Sequence, residues 1–308
     1  MSRIEPDAEE LAEVLAEVRR IAAWSRRRVR SQVAGGYASA FKGTGQEFEQ
    51  VREYVLGDDP RSVDWNVTAR LGRPFVKTFS EERDRGVVFA VHVGPSVDTG
   101  IGATSVRRAL AAVCAALALT ADDRGDRVGA VHFGRRFAHV VPPGRGASHA
   151  LRIVRDVLAL RPADTDGERP VGHLGALERV RRATRRRSLV FVLSDFTEPL
   201  DVPAFRAHAR RHDLVAIRVV PAELAPGVLR GLVRLGGNDG THPEIVDADT
   251  PAFRAEWERR ARGLSARFAE DCRRAGVDHV EVPIPFERDP DALLAPVLEL
   301  FRTREARR

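Results

Sequence analysis

Between positions 57 and 70 the chain reads Gly57-Asp58-Asp59-Pro60-Arg61-Ser62-Val63-Asp64-Trp65-Asn66-Val67-Thr68-Ala69-Arg70, a stretch dense in charged, turn-forming and aromatic residues. Asp59 can cap a short helix beginning at Pro60, because a carboxylate accepts from the free N–H groups of a first turn and proline has none to leave unpaired. Arg61 and Asp64 lie three apart and can pair. Trp65 offers a large apolar face and a single donor. These residues build either a structural clasp anchored by Trp65 or a knob that a partner grips, with Gly57, Asp58, Asp59, Arg61, Asp64, Trp65 and Arg70 as its contact set. Capping and turn chemistry favours the clasp.

Other chemistries lack their residues. The lysines are Lys42 and Lys77, and neither follows a glycine-rich phosphate loop. Gly94-Pro95-Ser96-Val97 lacks the second glycine of a nucleophile elbow. The net charge is +6 and the pI about 10.2, yet the Arg-rich run from Arg179 to Arg187 falls at a helix end, where cations complement the helix dipole. With 6% aromatics, no stacking platform for nucleic acid stands out, and nucleic-acid binding through Arg-rich faces is the second alternative reading. Cys114 and Cys272 fall on apolar stripes, which implies buried thiols in a reducing compartment. The longest apolar run, Ala109 to Leu119, is short of the roughly 20 residues that span a bilayer. Met1 to Glu17 has no secretory apolar core. A soluble, cytoplasmic protein without membrane contact is expected.

The elements that must position these residues follow from periodicity. Residues 1–35 form an N-terminal unit whose helix covers 8–33, with Leu11, Leu15, Val18, Ile21 and Ala22 at helical spacing. Residues 36–85 form a compact motif segment in which Phe75 to Phe79 reads as a strand and 48–55 is undecided between strand and turn. From residue 86 to 308, apolar strands alternate with helices: strands at 86–93, 127–133, 137–141, 188–193, 214–220 and 277–282, and helices at 105–122, 148–160, 174–184, 202–211, the 250s to 275, and 293–301. Residues 228–247 read as a hairpin insertion around Gly236-Gly237-Asn238-Asp239-Gly240. This alternation predicts an α/β, doubly wound, mostly parallel sheet covered on both faces.

The order of motifs resembles the domain-of-unknown-function 58 family. The residues that carry the resemblance are Ser39, Gly43-Thr44-Gly45, Glu47-Phe48, Arg52-Glu53-Tyr54, Gly57-Asp58-Asp59, Arg61, Asp64-Trp65, Thr68-Ala69-Arg70, Lys77, Glu81-Glu82, Ser194-Asp195-Phe196 and Gly276-Val277-Asp278-His279. The resemblance implies a von Willebrand factor A-like, Rossmann-type core. It also implies work beside a MoxR-type AAA+ ATPase in the assembly, cofactor insertion or remodelling of a client protein.

That fold often holds a divalent ion at the C-terminal edge of its sheet, through an Asp-x-Ser-x-Ser loop, a Thr and a further Asp. Here the first loop reads His92-Val93-Gly94-Pro95-Ser96, so His92 replaces the Asp and Gly94 the first Ser. The Thr loop reads Gly172-His173-Leu174, while Asp195 keeps the last position. One carboxylate and one hydroxyl are too few for Mg²⁺, which wants a full oxygen shell. The expectation is therefore a degenerate metal site at His92, Gly94, Ser96 and Asp195, no cofactor, and a non-catalytic adaptor. The first alternative is a metal-dependent hydrolase in which His92, His173 and Asp195 converge.

Overall fold

The computed structural model describes residues 8–28, 37, 40, 46–55, 58, 62–81, 86–134, 137–161, 171–236 and 244–307. Its centre is a six-stranded sheet. The strands are β3 (Gly86–His92), β4 (Arg127–Phe133), β5 (Ala138–Gly144), β6 (Leu189–Ser194), β7 (Asp213–Val220) and β10 (Asp278–Pro283), in the order β10-β7-β6-β3-β4-β5. All neighbours are parallel except β4 and β5, which form an antiparallel pair at one edge. Strands β3 and β6 are buried along nearly their whole length, which explains why they read as continuous apolar runs and not as alternation. Phe89 and Phe191 are register partners on these two strands, with ring centroids 5.4 Å apart.

Helices cover both faces. Helices α3 (Val106–Asp123), α4 (Ala147–Ala159) and α8 (Pro290–Ala306) lie on one side, and α1 (Ala8–Arg28) packs across α3 and α4. That second layer explains the composition of α3: sandwiched between sheet and helices, it buries residues around most of its circumference, and its alanines let the neighbours approach. On the other side lie α5 (Gly172–Ala183), α6 (Val202–Arg211) and α7 (Pro251–Ala275). Thr250 caps α7 through its hydroxyl, and Gly276 ends it at φ 69°. The doubly wound, mostly parallel α/β architecture is thus the one the sequence predicts.

Two small sheets lie outside this core. Strands β8 (Leu232–Leu235) and β9 (Glu244–Asp247) pair antiparallel as the predicted hairpin. Strands β1 (Gln46–Glu53) and β2 (Phe75–Glu81) pair antiparallel and bracket the short helix α2 (Trp65–Leu71). The undecided stretch at 48–55 is therefore mostly strand. The expected end of the first helix at residue 33 and the turn residues 237–240 lie outside the described residues.

Candidate functional site

The strand order reverses between β3 and β6. From β3 the chain moves outward to β4 and β5, then returns to the other side of β3 and continues through β6, β7 and β10. Loops leaving the C-terminal ends of two such strands part in opposite directions, so a crevice opens between them. His92 ends β3 and Ser194 ends β6, which sets His92, Ser96 and Asp195 around this crevice.

The three side chains meet through one atom. His92 Nδ1 stands 3.4 Å from Asp195 Oδ1 and 3.5 Å from Ser96 Oγ. Gly94 is coupled to this arrangement: a Cβ at position 94 would lie 2.7 Å from His92 Nε2, well inside contact distance. Burial pushes the Asp195 carboxyl up, but hydrogen bonding and charge from His92, together with the hydroxyls of Ser96 and Ser194, hold it at about 2. Mg²⁺ does not fit this set. An imidazole nitrogen already contacts both surviving oxygen donors, and the glycine that admits the ring supplies no ligand.

Two buried arginines that the sequence reading missed hold the loops. Arg107, on α3, donates to Asp98 at 2.5 and 2.8 Å and to the carbonyls of Val93, Val157 and Leu160 at 2.9, 2.8 and 3.0 Å. It therefore fixes the turn after β3. Arg218, on β7, donates to the Asp195 carbonyl at 3.1 Å and also bonds Ser265 and Glu281. The available signal was an arginine inside the apolar strand Leu214–Val220, since a buried guanidinium demands several acceptors. Phe196 follows with φ 45°, a strained setting for a residue with a side chain. Ser194 Oγ accepts its N–H at 3.2 Å.

His173 does not join the cluster. It sits in the first turn of α5, its ring stacked on Phe196 at 4.8 Å and edge-on to Phe133 at 5.2 Å, and its ring centroid is 6.3 Å from that of His92. Its Nε2 is sealed from solvent, and burial lowers the ring to about 3, so it is neutral at ordinary pH. His92, His173 and Asp195 meet at the same edge but do not bring one ligand atom each within 4.8 Å of one another, which corrects the expectation that they form one metal-binding or catalytic set. The aromatic surround explains it: Phe133, Phe196 and Phe205 offer the imidazole a stacked, apolar seat.

The motif segment is built differently from the sequence reading. Helix α2 begins at Trp65, and its cap is Asp64, whose Oδ1 accepts from the N–H groups of Asn66 and Val67 at 3.0 and 3.3 Å. Thr68 Oγ1 accepts from Phe75 N at 3.0 Å, tying the helix to β2, and Gly72 closes it at φ 67°. Asp58 receives a two-pronged bond from Arg52 at 2.7 and 2.8 Å and accepts from Val55 N; hydrogen bonding to Arg52, above all, lowers its pKa. Trp65 is not an anchor: it is 72% exposed. Its position at the first residue of a one-sided, seven-residue helix turns it to solvent, which corrects the clasp reading at this residue. Arg70 lies exposed in the last turn. Gly57, Asp59 and Arg61, with the cap proposed at Asp59, lie outside the described residues.

The many other arginines pair on helix faces, as with Arg181 and Glu178, Arg259 and Glu256, Arg262 and Glu258, and Arg302 and Glu299. Among the described residues, no helix is long and apolar enough to cross a membrane.

Fold and site define a doubly wound α/β protein whose switch-point crevice is lined by His92, Ser96 and Asp195. The family model "Protein of unknown function DUF58" matches residues 50–267, and the chain belongs to that family. Similar relatives include an uncharacterized protein of Mycobacterium tuberculosis and one of Mycobacterium bovis. Each is 29% identical over 247 residues, covering 79% of this chain and 76% of the relative. Among solved structures, the conserved hypothetical protein BatB from Bacteroides thetaiotaomicron overlaps with a TM-score of 0.43 at 16% identity, over 73% of this chain and 100% of that one. An aerotolerance-related membrane protein from Bacteroides fragilis overlaps at 0.42 and 11% identity, over 73% and 100%. The SpRpn10 VWA domain overlaps at 0.32 and 11% identity, over 71% and 94%.

Proposed function

We propose that this chain is a non-catalytic protein-binding module whose contacts need no bridging ion. One observation carries the reading: Asp195 and Ser96 both address the same nitrogen of His92. A proton relay needs the acid on one ring nitrogen and the nucleophile on the other, so that the ring can pass charge between them. Here the second nitrogen faces Gly94, where even a methyl group would collide. What is left is a polar crevice of fixed shape, suited to grip and not to turnover.

The partner that the family resemblance implies is a MoxR-type AAA+ ATPase, with the pair acting in assembly, cofactor insertion or remodelling of a client. The crevice around His92, Ser96 and Asp195 and the exposed Trp65 are its contact points. The excess of positive charge steers the encounter toward an acidic surface. Cys114 and Cys272 are both buried free thiols, which supports a cytoplasmic setting. A pull-down with a MoxR-type ATPase from the same organism tests the reading. Binding survives EDTA, with the ATPase's own nucleotide-bound Mg²⁺ controlled for, and weakens as salt is raised. Binding that vanishes on chelation of the isolated module overturns the ion-free contact, and no binding in any nucleotide state overturns the partnership.

A further inference from the structure

A second cluster of metal-ligating side chains lies at the antiparallel edge of the sheet, on the face away from the His92 crevice. Side chains alternate along β4. Phe133 packs with the α5 side, while His132 turns to the opposite face and meets α4 through Ile153. His139 on β5 is the register partner of His132, and their rings lie 5.9 Å apart. Asp156, on α4, completes the group. One ligand atom from each of His132, His139 and Asp156 falls within 4.8 Å of the others.

The atoms are dressed as ligands. His132 is fully buried, and its Nε2 lies 3.1 Å from the Ile153 carbonyl, which can only accept. Nε2 therefore carries the proton, and Nδ1 is left with a lone pair. That Nδ1 is buried and has no hydrogen-bond partner. Asp156 repeats the pattern: Arg155 holds Oδ1 with bonds of 2.6 and 3.0 Å, while Oδ2 is buried without a hydrogen bond and lies 3.6 Å from His139 Nε2. A backbone carbonyl fixing a histidine tautomer and a charged donor fixing a carboxylate are the supports that orient metal ligands. Left empty, the site confines two polar atoms away from water with nothing to bond, a costly arrangement for a native core.

We infer that His132, His139 and Asp156 bind one Zn²⁺ ion, which clips the edge hairpin β4–β5 to α4. Two imidazoles and a carboxylate are a zinc donor set. Tetrahedral ligands at about 2.0–2.1 Å from the metal stand roughly 3.3 Å from each other, so closing the cluster asks for small side-chain shifts only. His139, with 27% of its side chain exposed, is the side from which the ion enters and where water completes the shell as fourth ligand.

The test uses the untagged full chain, stripped with EDTA and dialysed, then titrated with Zn²⁺ by calorimetry and assayed for bound metal. One Zn²⁺ per chain is expected, with a rise in Tm. His139→Ala and Asp156→Asn each weaken binding at least tenfold, while His92→Ala leaves it unchanged. Melts of each variant in EDTA, matching the wild type, show that lost binding is not lost folding; His139, 27% exposed at the sheet edge, tolerates truncation. Absence of stoichiometric Zn²⁺ binding overturns the inference. So does binding that both His139→Ala and Asp156→Asn leave intact, or that His92→Ala abolishes.

Discussion

The pairing of His92 with Gly94 shows how one side chain constrains its neighbour. An imidazole at the end of β3 reaches the space over position 94, so any residue with a Cβ there forces the ring to shift. Gly94→Ser alone should therefore cost roughly 1–3 kcal/mol through overpacking, read as a lowered denaturation midpoint, and should add no Mg²⁺ affinity. His92→Asp combined with Gly94→Ser removes the collision and adds two oxygen donors beside Ser96 and Asp195. Calorimetry should then show Mg²⁺ binding to the double variant and none to the wild type. Mg²⁺ binding by the wild type would sink the account of the site. Arg107 gives a second residue-scale prediction. It has carbonyls and a carboxylate on every donor face, so Arg107→Ala strands buried acceptors and should cost on the order of 3–5 kcal/mol. The low end applies, because Asp98 is partly in water. Arg107→Lys should not rescue it, since one ammonium cannot span Asp98, Val93 and Leu160 together. The meeting of His92, Ser96 and Asp195 was legible through the family resemblance, which put their loops at one edge of the sheet. Arg107 was not: in sequence it is one more arginine near a helix start, and only the fold reveals that its side of the helix faces Asp98 and the carbonyls of Val93, Val157 and Leu160.

At the scale of elements, strong periodicity was easy to read and weak periodicity was not. The buried strands β3, β6 and β7 and the long helix α7 announce themselves by apolar runs or steps of three and four. Strand β1, Gln46–Glu53, is too polar to do so, and its pairing with β2 comes from contacts distant in sequence. Helix α2 shows the same limit. Its cap at Asp64 was hidden by the equally plausible cap at Asp59, and a seven-residue helix has too few turns for a periodic signal. The element's two ends now predict opposite results. Asp64→Ala removes the acceptor for two N–H groups and should cost about 1 kcal/mol in a thermal melt. Trp65→Ala removes a side chain that is mostly in water and should change stability by no more than about 0.5 kcal/mol, while weakening the pull-down of the partner. A large loss of stability at Trp65 with partner binding intact would return the residue to a structural role. The edge hairpin also held a signal: once the strands at 127–133 and 137–141 are paired across a tight turn, His132 and His139 fall opposite one another.

For the whole molecule, the balance of buried titratable groups sets the response to acid. His173 is held at about 3 by desolvation, with the neighbouring charge of His92 adding to it and Asp195 opposing it, against 6.5 for an unperturbed histidine. The sign follows from proton binding. Between 6.5 and 3 the unfolded chain carries a proton on this ring and the folded chain does not, so stability rises with pH across that window. The contribution is fully present above about 6.5 and is lost as pH falls toward 3. His212 is lowered to about 4 by desolvation and neighbouring arginines, and adds to the same window. Asp195 acts separately: its depressed pKa gives stability above 3.8 that is lost as pH falls through about 2. His173→Phe isolates one share of this behaviour. Phenylalanine keeps the stack on Phe196 and the apolar seat among Phe133 and Phe205, but takes up no proton in either state. The variant should match the wild type near pH 8 within about 1.5 kcal/mol. It should fall less steeply on acidification, with the two stability curves separating below pH 6.5 by an amount on the order of a few kcal/mol near pH 4. Curves that stay parallel from pH 6.5 to 4 would show that the His173 ring reaches solvent and gains its proton without unfolding.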